Sequence, residues 1–357
     1  MKVDFYISSL SGGGAEKVLV TLAREFANRN YETSIYSLEV RPQFYSVAQN
    51  VTLEKISGDG KPKSMLEEFR CVRSRLKKRN ADIAISFLSR CNLLLLVSSL
   101  FRKQKIIVCD RNNPIKEHSR FVFNLSCRLY RFATAIVVQT EQIKGFYPDY
   151  LQNKIYVLEN PLDVETLTNQ CSGKSVTAEN TIISVGRLEP QKDFATLINA
   201  FSKISAKFPE WNLKIFGKGD QQSELQMLID SLGLQKRVFL CGRTESPYLE
   251  LSKSKVFVLS SNYEGFPNAL CEGMQAGLAC VSSDCVSGPR ELIDDGLNGF
   301  LFPVGDSDKL AQKLELLLSD ETLRLDMGSH AKESVKRLEL PIICDKWCDL
   351  LKKVSEK

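Results

Sequence analysis

Short apolar runs rich in β-branched and aromatic residues alternate along this chain with longer stretches whose apolar residues recur every three or four positions. The runs predict strands over residues 2–8, 33–38, 82–87, 105–109, 135–139 and 155–158 in the first half, and over 181–185, 212–216, 238–241, 256–260 and 279–283 in the second. Strands that alternate with helical periodicity build parallel sheets joined by crossover helices. Two doubly wound α/β domains are therefore expected, residues 1–162 and 163–339. Between them, Glu159-Asn160-Pro161-Leu162-Asp163 puts a proline in the backbone, and the polar stretch from Thr168 to Asn180 breaks the apolar period. A last helical segment, residues 340–357, is open to crossing back to the first domain, although nothing in its own residues requires it.

Composition narrows the class. The 357 residues, 43% hydrophobic and 25% charged, suit a soluble globular protein with substantial cores. Eleven cysteines are scattered and never spaced Cys-x-x-Cys, and there are only two histidines, so buried thiols in a reducing cytosol are expected rather than a zinc cluster. The chain reaches a glycine cluster by Gly12, which leaves no room for a signal peptide's apolar core. The longest apolar stretch, Leu93 to Phe101, contains Ser98 and Ser99 and is too short to span a bilayer. Charge is uneven: residues 1–160 carry +10 (25 basic against 15 acidic side chains), and the remainder carries −5 (23 against 28). A basic first half implies an anionic partner there.

The chemistry concentrates in Glu264-Gly265-Phe266-Pro267-Asn268-Ala269-Leu270-Cys271-Glu272. The apolar run Val256-Phe257-Val258-Leu259 before it reads as a buried strand, and Pro267 is suited to a helix start. Glu264 then falls in the loop at the strand's carboxyl end, where open parallel sheets bind ligands, and Glu272 about one turn into the helix. The first-turn amides of Asn268, Ala269 and Leu270 supply an anion site between two hydrogen-bond acceptors. A ligand with hydroxyls at both ends and phosphates in the middle, a nucleotide sugar, fits this arrangement. The plain alternative is a solvated loop acid and a surface helix acid.

Two further clusters fall on strand ends. Residues 2–8 lead into Gly12-Gly13-Gly14, where backbone amides can approach a pyrophosphate or sugar without a Cβ clash; the glycines equally suit a tight strand-to-helix turn. Residues 181–185 lead into Gly186-Arg187-Leu188-Glu189-Pro190-Gln191-Lys192-Asp193, which offers a planar guanidinium fork and a movable ammonium to a diphosphate, or else a surface pair.

With Gly217-Lys218-Gly219, Ser287-Gly288-Pro289-Arg290-Glu291 and Asp295-Gly296-Leu297-Asn298-Gly299, these motifs follow one another over nearly the whole length in the order seen in retaining glycosyltransferases of family 4, which the chain resembles. The resemblance implies the GT-B architecture, two Rossmann-like domains facing a central cleft. It implies that Arg187 and Lys192 bind the donor's diphosphate, that Glu264 with the Gly265 and Phe266 amides binds the sugar hydroxyls, and that Glu272 binds the ribose. Gly242 and Arg243 would hold the base. It further implies transfer with retention and no protein nucleophile, and catalysis mainly by positioning and leaving-group stabilisation. Such enzymes move a hexose or N-acetylhexosamine from a nucleotide sugar, here expected to be UDP-linked. The acceptor would be a polyprenyl-diphosphate-linked saccharide of lipopolysaccharide, O-antigen, capsule or another envelope glycan.

Cys109-Asp110-Arg111-Asn112-Asn113-Pro114-Ile115-Lys116-Glu117-His118 follows strand 105–109, so Arg111 and His118 are expected on the first domain's side of the cleft, and the resemblance suggests that His118 touches the donor sugar, the alternative being a histidine that only caps a helix. No cofactor and no metal are expected, since Arg187, Lys192 and helix amides can neutralise a diphosphate. Basic residues gather at Arg70, Arg73, Arg75, Lys77, Lys78 and Arg79, and again at Arg102, Lys103, Lys105, Arg120, Arg128 and Arg131, the last three interleaved with Phe121, Phe123, Leu125, Tyr130 and Phe132. No RNA-binding aromatic signature accompanies them. They point to the anionic cytoplasmic face of a membrane, bound peripherally, or to solubilised helix faces. A noncatalytic nucleotide-sugar binder and a nucleotide-sugar epimerase of the same architecture remain alternatives. A Rossmann dehydrogenase does not fit, for want of spaced glycines with a ribose acid about 20 residues on.

Overall fold

The computed structural model describes residues 1–39, 42–56, 64–117, 119–174 and 176–356. The chain forms two compact units, Met1–Pro161 with Leu340–Lys357, and Leu162–Glu339. In the first, seven parallel strands run in the order β3-β2-β1-β4-β5-β6-β7. They are β1 Lys2–Ile7, β2 Glu32–Ser37, β3 Thr52–Lys55, β4 Ile83–Phe87, β5 Lys105–Cys109, β6 Ala135–Val138 and β7 Ile155–Val157. In the second, six run β10-β9-β8-β11-β12-β13: β8 Thr181–Val185, β9 Asn212–Phe216, β10 Val238–Gly242, β11 Val256–Leu259, β12 Ala279–Ser283 and β13 Phe300–Phe302.

All eleven expected strands form, shifted at their ends by a residue or so. The apolar runs of the inner strands β4, β6 and β11 lie buried on both faces of the sheets, which continuous runs in parallel strands predict, whereas the edge strand β10 alternates between buried and more exposed positions. Two strands escaped the sequence, β3 and β13, and both sit at sheet edges. Each is four residues or fewer, and β3 is half-exposed, so neither shows a period long enough to read.

In both sheets the strand order reverses direction at one place, between β1 and β4 in the first unit and between β8 and β11 in the second. Connections from the strands flanking such a point leave for opposite faces, which opens a crevice at their carboxyl ends. The Gly12–Gly14 loop follows β1, and the Arg187–Lys192 and Glu264 loops follow β8 and β11.

The Leu340–Ser355 helix belongs to the first unit, although its sequence follows the second. Its apolar stripe carries Ile343, Trp347, Leu351 and Val354 into the interior, and Trp347 meets Phe26 edge-on at 6.4 Å. Arg29 ties its start, donating to the Pro341 carbonyl at 3.2 Å and to Asp345.

Asp4, on β1, is fully buried with Arg79 at 3.4 Å. Burial pushes its carboxyl up from 3.8 to about 6, against the opposing pull of Arg79. A folded-state value above the unfolded one contributes stability that is complete below pH 3.8 and lost as pH rises through about 6, up to roughly 3 kcal/mol. Asp4→Asn is therefore expected to raise the melting temperature at pH 7.5 and to flatten its fall between pH 4 and 7, with Arg79 kept in place by Glu32 at 2.6 Å. Thermal melts across that range check this; an Asn variant less stable than wild type at pH 7.5 contradicts it.

Candidate functional site

Four loops converge at the carboxyl edge of the second sheet. The loops after β8 and β9 cross in direct backbone contact: a Cβ on Gly217 would lie 1.7 Å from the Gly186 carbonyl oxygen, and one on Gly219 would lie 2.3 Å from that of Leu188. Only glycine allows this approach. Backbone bonds from Leu188 to Lys218 (3.0 Å) and from Gly217 to Gly242 (2.8 Å) lock the loops after β8, β9 and β10 together.

The β8 and β11 loops meet across the switch point. Lys192 Nζ donates to Glu264 Oε1 at 2.6 Å, and Ser261 Oγ donates to the same oxygen at 2.6 Å. Both charged side chains are largely buried, Glu264 almost wholly. The main chain around them is stitched by Asn262 N to Gln191 O (2.8 Å), Ser260 Oγ to Lys192 O (2.8 Å) and Gln191 Nε2 to Tyr263 O (3.0 Å). The expected diphosphate lysine and sugar-binding glutamate are thus one preassembled pair. Arg187, on the same loop, is 63% exposed and held by Glu189 at 2.9 Å.

After Glu264 the chain enters the Asn268–Gln275 helix with Pro267 at its N-cap. The Asn268 amide donates to the Phe266 carbonyl at 3.0 Å, so of the three expected first-turn donors it already has a protein acceptor; Ala269 and Leu270 occupy turn positions without an intrahelical carbonyl. Glu272 is buried on this helix. The Tyr248 hydroxyl donates to the Gln275 carbonyl at 3.3 Å, which sets the Pro247–Ser252 helix, after the Gly242–Arg243 loop, against the helix that carries Glu272; burial holds the Tyr248 phenol above its ordinary value. Gly242 takes φ +71°, a turn that re-aims the chain there.

Sequence reasoning missed Ser261 and Ser283, and gave Ser287 a place in a motif but no role. Ser261, Ser283 (to the Ser261 carbonyl, 2.6 Å) and Ser287 (to the carbonyls of Glu264 and Gly265, 2.9 Å each) bind the β11 loop to its neighbours. The signal for the first two is the pairs Ser260-Ser261 and Ser282-Ser283 at strand ends. The expectation of no metal rests in part on reading no Asp-x-Asp triplet in the chain, and that reading is wrong: Asp306-Ser307-Asp308 is one, a spacing that suits a metal clamp. Asp306 caps the Ser307–Ser319 helix through the Lys309 amide (2.9 Å), and Asp308 pairs with Lys203 (2.6 Å). Among the described residues no group of three or more His, Cys, Asp or Glu could hold a metal ion.

In the first unit the glycine loop differs from the expectation of open amides. Glu16, on the Gly14–Asn28 helix, folds its buried carboxylate back to accept from the amides of Gly12 and Gly13 and from Ser9 Oγ at 3.1 Å. A carboxylate occupying these donors disfavours a phosphate at the same amides, because two anions would compete for one site.

Arg111 is held by residues of the first unit. Its guanidinium stacks 4.2 Å from the Phe87 ring, faces Trp347 and donates to Asn160 Oδ1 at 2.8 Å, with Nε and Nη2 buried and unbonded. Beside it Asp110 forms a buried hub, accepting from Asn92 (2.7 Å), Tyr130 (2.8 Å) and Tyr147. Burial and the Asp110 charge push both phenols well above their ordinary range. His118 lies outside the described residues.

Half of the first basic cluster is structural: Arg73 donates to the Ser98 and Leu100 carbonyls, Arg75 pairs with Glu54, and Arg79 pairs with Asp4 and Glu32. Arg102, of the second cluster, donates to the Leu76 carbonyl. The Arg120–Tyr130 helix is different. Phe123 and Tyr130 turn into the core, contrary to a reading of all its aromatics as surface, whereas Phe121 (77% exposed), Leu125 and Phe132 (62%) face outward with Arg120, Arg128 and Arg131.

A family model described as Glycosyltransferase Family 4 matches residues 12–166, and one described as Glycosyl transferases group 1 matches residues 168–334. The chain is 30% identical, over 99% of its own length and 99% of the relative's, to the GalNAc-alpha-(1->4)-GalNAc-alpha-(1->3)-diNAcBac-PP-undecaprenol alpha-1,4-N-acetyl-D-galactosaminyltransferase of Campylobacter jejuni. It is 26% identical to the amylovoran biosynthesis glycosyltransferase AmsD of Erwinia amylovora, over 96% of each chain. Among solved structures it is similar to Anabaena HepE in complex with UDP and glucose, with a TM-score of 0.82 at 18% identity over 99% of this chain and 100% of that one. That likeness speaks to the fold alone.

Proposed function

Because the chain belongs to glycosyltransferase family 4, with two Rossmann-like units of the GT-B fold, we propose that it transfers a hexose or N-acetylhexosamine from a UDP-linked donor to a lipid-linked saccharide in bacterial envelope glycan assembly. The observation that carries this reading is the Lys192–Glu264 pair at the switch point of the second sheet, with Glu272 buried one turn into the helix that follows. Lys192 and Arg187 hold the diphosphate, Glu264 the sugar hydroxyls and Glu272 the ribose. Gly242 and Arg243 hold the base.

In the reaction the bond from the sugar's anomeric carbon to the donor phosphate oxygen breaks, and one to the acceptor hydroxyl oxygen forms on the same face. The hydroxyl proton passes to the departing phosphate oxygen. The protein positions the partners and stabilises the charge that develops on the leaving group. A lipid-linked acceptor is supported by the undecaprenol-linked substrate in the name of the Campylobacter jejuni relative. It is also supported by the exposed basic and aromatic face of the Arg120–Tyr130 helix, which suits peripheral attachment to the cytoplasmic membrane surface.

Incubating purified protein with a panel of UDP- and GDP-sugars, with and without undecaprenyl-diphosphate-linked saccharides, tests the reading. Release of free nucleotide only when acceptor is present supports a transferase, whereas interconversion of the sugar without acceptor points to an epimerase. Binding without either reaction points to a noncatalytic binder. Transfer is also expected to persist in excess chelator, since Arg187 and Lys192 serve the diphosphate and Asp306 and Asp308 are engaged elsewhere. Complete loss with EDTA, restored by a divalent ion, would overturn that expectation.

A further inference from the structure

Ser287 stands out among the residues around the donor site. It is wholly buried, lies in the loop after β12, and holds φ at +74°, a left-handed conformation that side chains other than glycine seldom adopt. Glycine would take this turn without strain, so what serine adds is its hydroxyl. That hydroxyl lies 2.9 Å from the carbonyl oxygens of both Glu264 and Gly265 and shares its single proton between them.

Two consecutive carbonyls drawn to one atom determine where the intervening amides point. In a trans peptide the carbonyl and N–H of one unit lie in one plane and point in opposite directions, and no cis bond occurs among the described residues. The Gly265 N–H shares its peptide with the Glu264 carbonyl, and the Phe266 N–H shares its peptide with that of Gly265. Both amides are therefore turned away from Ser287, side by side, the concave arrangement that binds oxygen ligands. Gly265 and Phe266 are buried, and among the described residues neither amide meets a protein acceptor, although buried backbone donors are rarely left so. The neighbouring turn is fitted closely: a Cβ on Gly288 would lie 2.5 Å from Pro267 Cδ.

We propose that Ser287 is a positioning residue of the transferase: by holding the carbonyls of Glu264 and Gly265 it aims the amides of Gly265 and Phe266 at an oxygen of the donor's sugar. The inference rests on the donor-site reading above. It makes Ser287 act on the sugar half of the donor and not on the nucleotide half.

The test uses the full chain, the nucleotide sugar that wild type turns over in the donor panel, and the corresponding bare nucleoside diphosphate. Ser287→Ala keeps the strained backbone and loses the hydroxyl; Ser287→Gly loses the hydroxyl and removes the strain; Ser287→Cys substitutes a weak donor. Both Ala and Gly variants are expected to bind the bare nucleoside diphosphate as wild type does, to lose the added affinity conferred by the sugar, and to fall about 10- to 100-fold in kcat, with Cys between them and wild type. Ser287→Gly is expected to melt no lower than wild type, which separates positioning from folding. Wild-type kcat and wild-type sugar discrimination in Ser287→Gly would overturn the proposal while leaving the donor site standing, and so would nucleotide affinity and melting temperature falling in step with activity. Failure of wild type to transfer from any nucleotide sugar would overturn the donor-site reading and the proposal together.

Discussion

Glu264→Ala is expected to lower transfer by about 30- to 1000-fold, equivalent to roughly 2–4 kcal/mol of lost transition-state stabilisation. The carboxylate accepts from Lys192 and Ser261 on one oxygen, so its removal takes away the proposed sugar contact and also leaves an ammonium largely buried without its partner. The second effect lowers stability, since breaking a buried pair costs more than the pair is worth. The two consequences separate in the double variant Lys192→Ala with Glu264→Ala, which removes the stranded charge: melting temperature should partly recover while transfer stays low. Glu272→Ala and Arg187→Ala should reduce transfer by a similar factor with less effect on folding, Arg187 because it stands mostly in solvent. Steady-state kinetics and thermal melts on these variants decide the matter, and unimpaired turnover in Glu264→Ala would remove the assignment.

Reversing Arg120, Arg128 and Arg131 to Glu is expected to abolish sedimentation with anionic liposomes. Each basic residue near such a surface contributes about 1 kcal/mol, so losing three weakens binding about 100-fold, and reversal adds repulsion. Phe121, Leu125 and Phe132 extend from the same segment, and burying an aromatic or leucine side chain in an apolar medium contributes about 1.5–3 kcal/mol, less at a wet interface. Replacing these three by Ser should weaken attachment in a salt-insensitive way, whereas the charge reversal removes the salt-sensitive part, screened within about 10 Å at 0.1 M. Arg131 also stacks on Tyr150 at 4.4 Å, so Arg120→Glu with Arg128→Glu serves as a control that spares this contact. Wild-type protein that ignores anionic liposomes and glycosylates a soluble acceptor as fast as a lipid-linked one would defeat the membrane reading and leave the transferase reading intact.

The sequence by itself determined the layered α/β class, eleven of the strands and the strand-end positions of Arg187, Lys192 and Glu264, because these follow from local apolar period, turn residues and the chain order of motifs. It did not reveal β3 or β13, whose three or four residues carry too little pattern and whose pairing is decided by the neighbouring strand.

Only the tertiary structure decided who meets whom. Lys192 and Glu264 lie 72 residues apart and pair because β8 and β11 are neighbours in the sheet. The same holds for Ser287, whose partners stand 22 and 23 residues earlier across the β11–β12 edge, and for Asp110, which accepts from two helices and a turn of the first unit. Burial also reversed readings that composition suggested. Arg73, Arg75 and Arg79 are ties of the fold, and Glu16 takes the amides that a glycine loop advertises. A charged side chain looks the same in sequence whether it serves a ligand or the fold, because the difference lies in desolvation and in partners brought from distant segments.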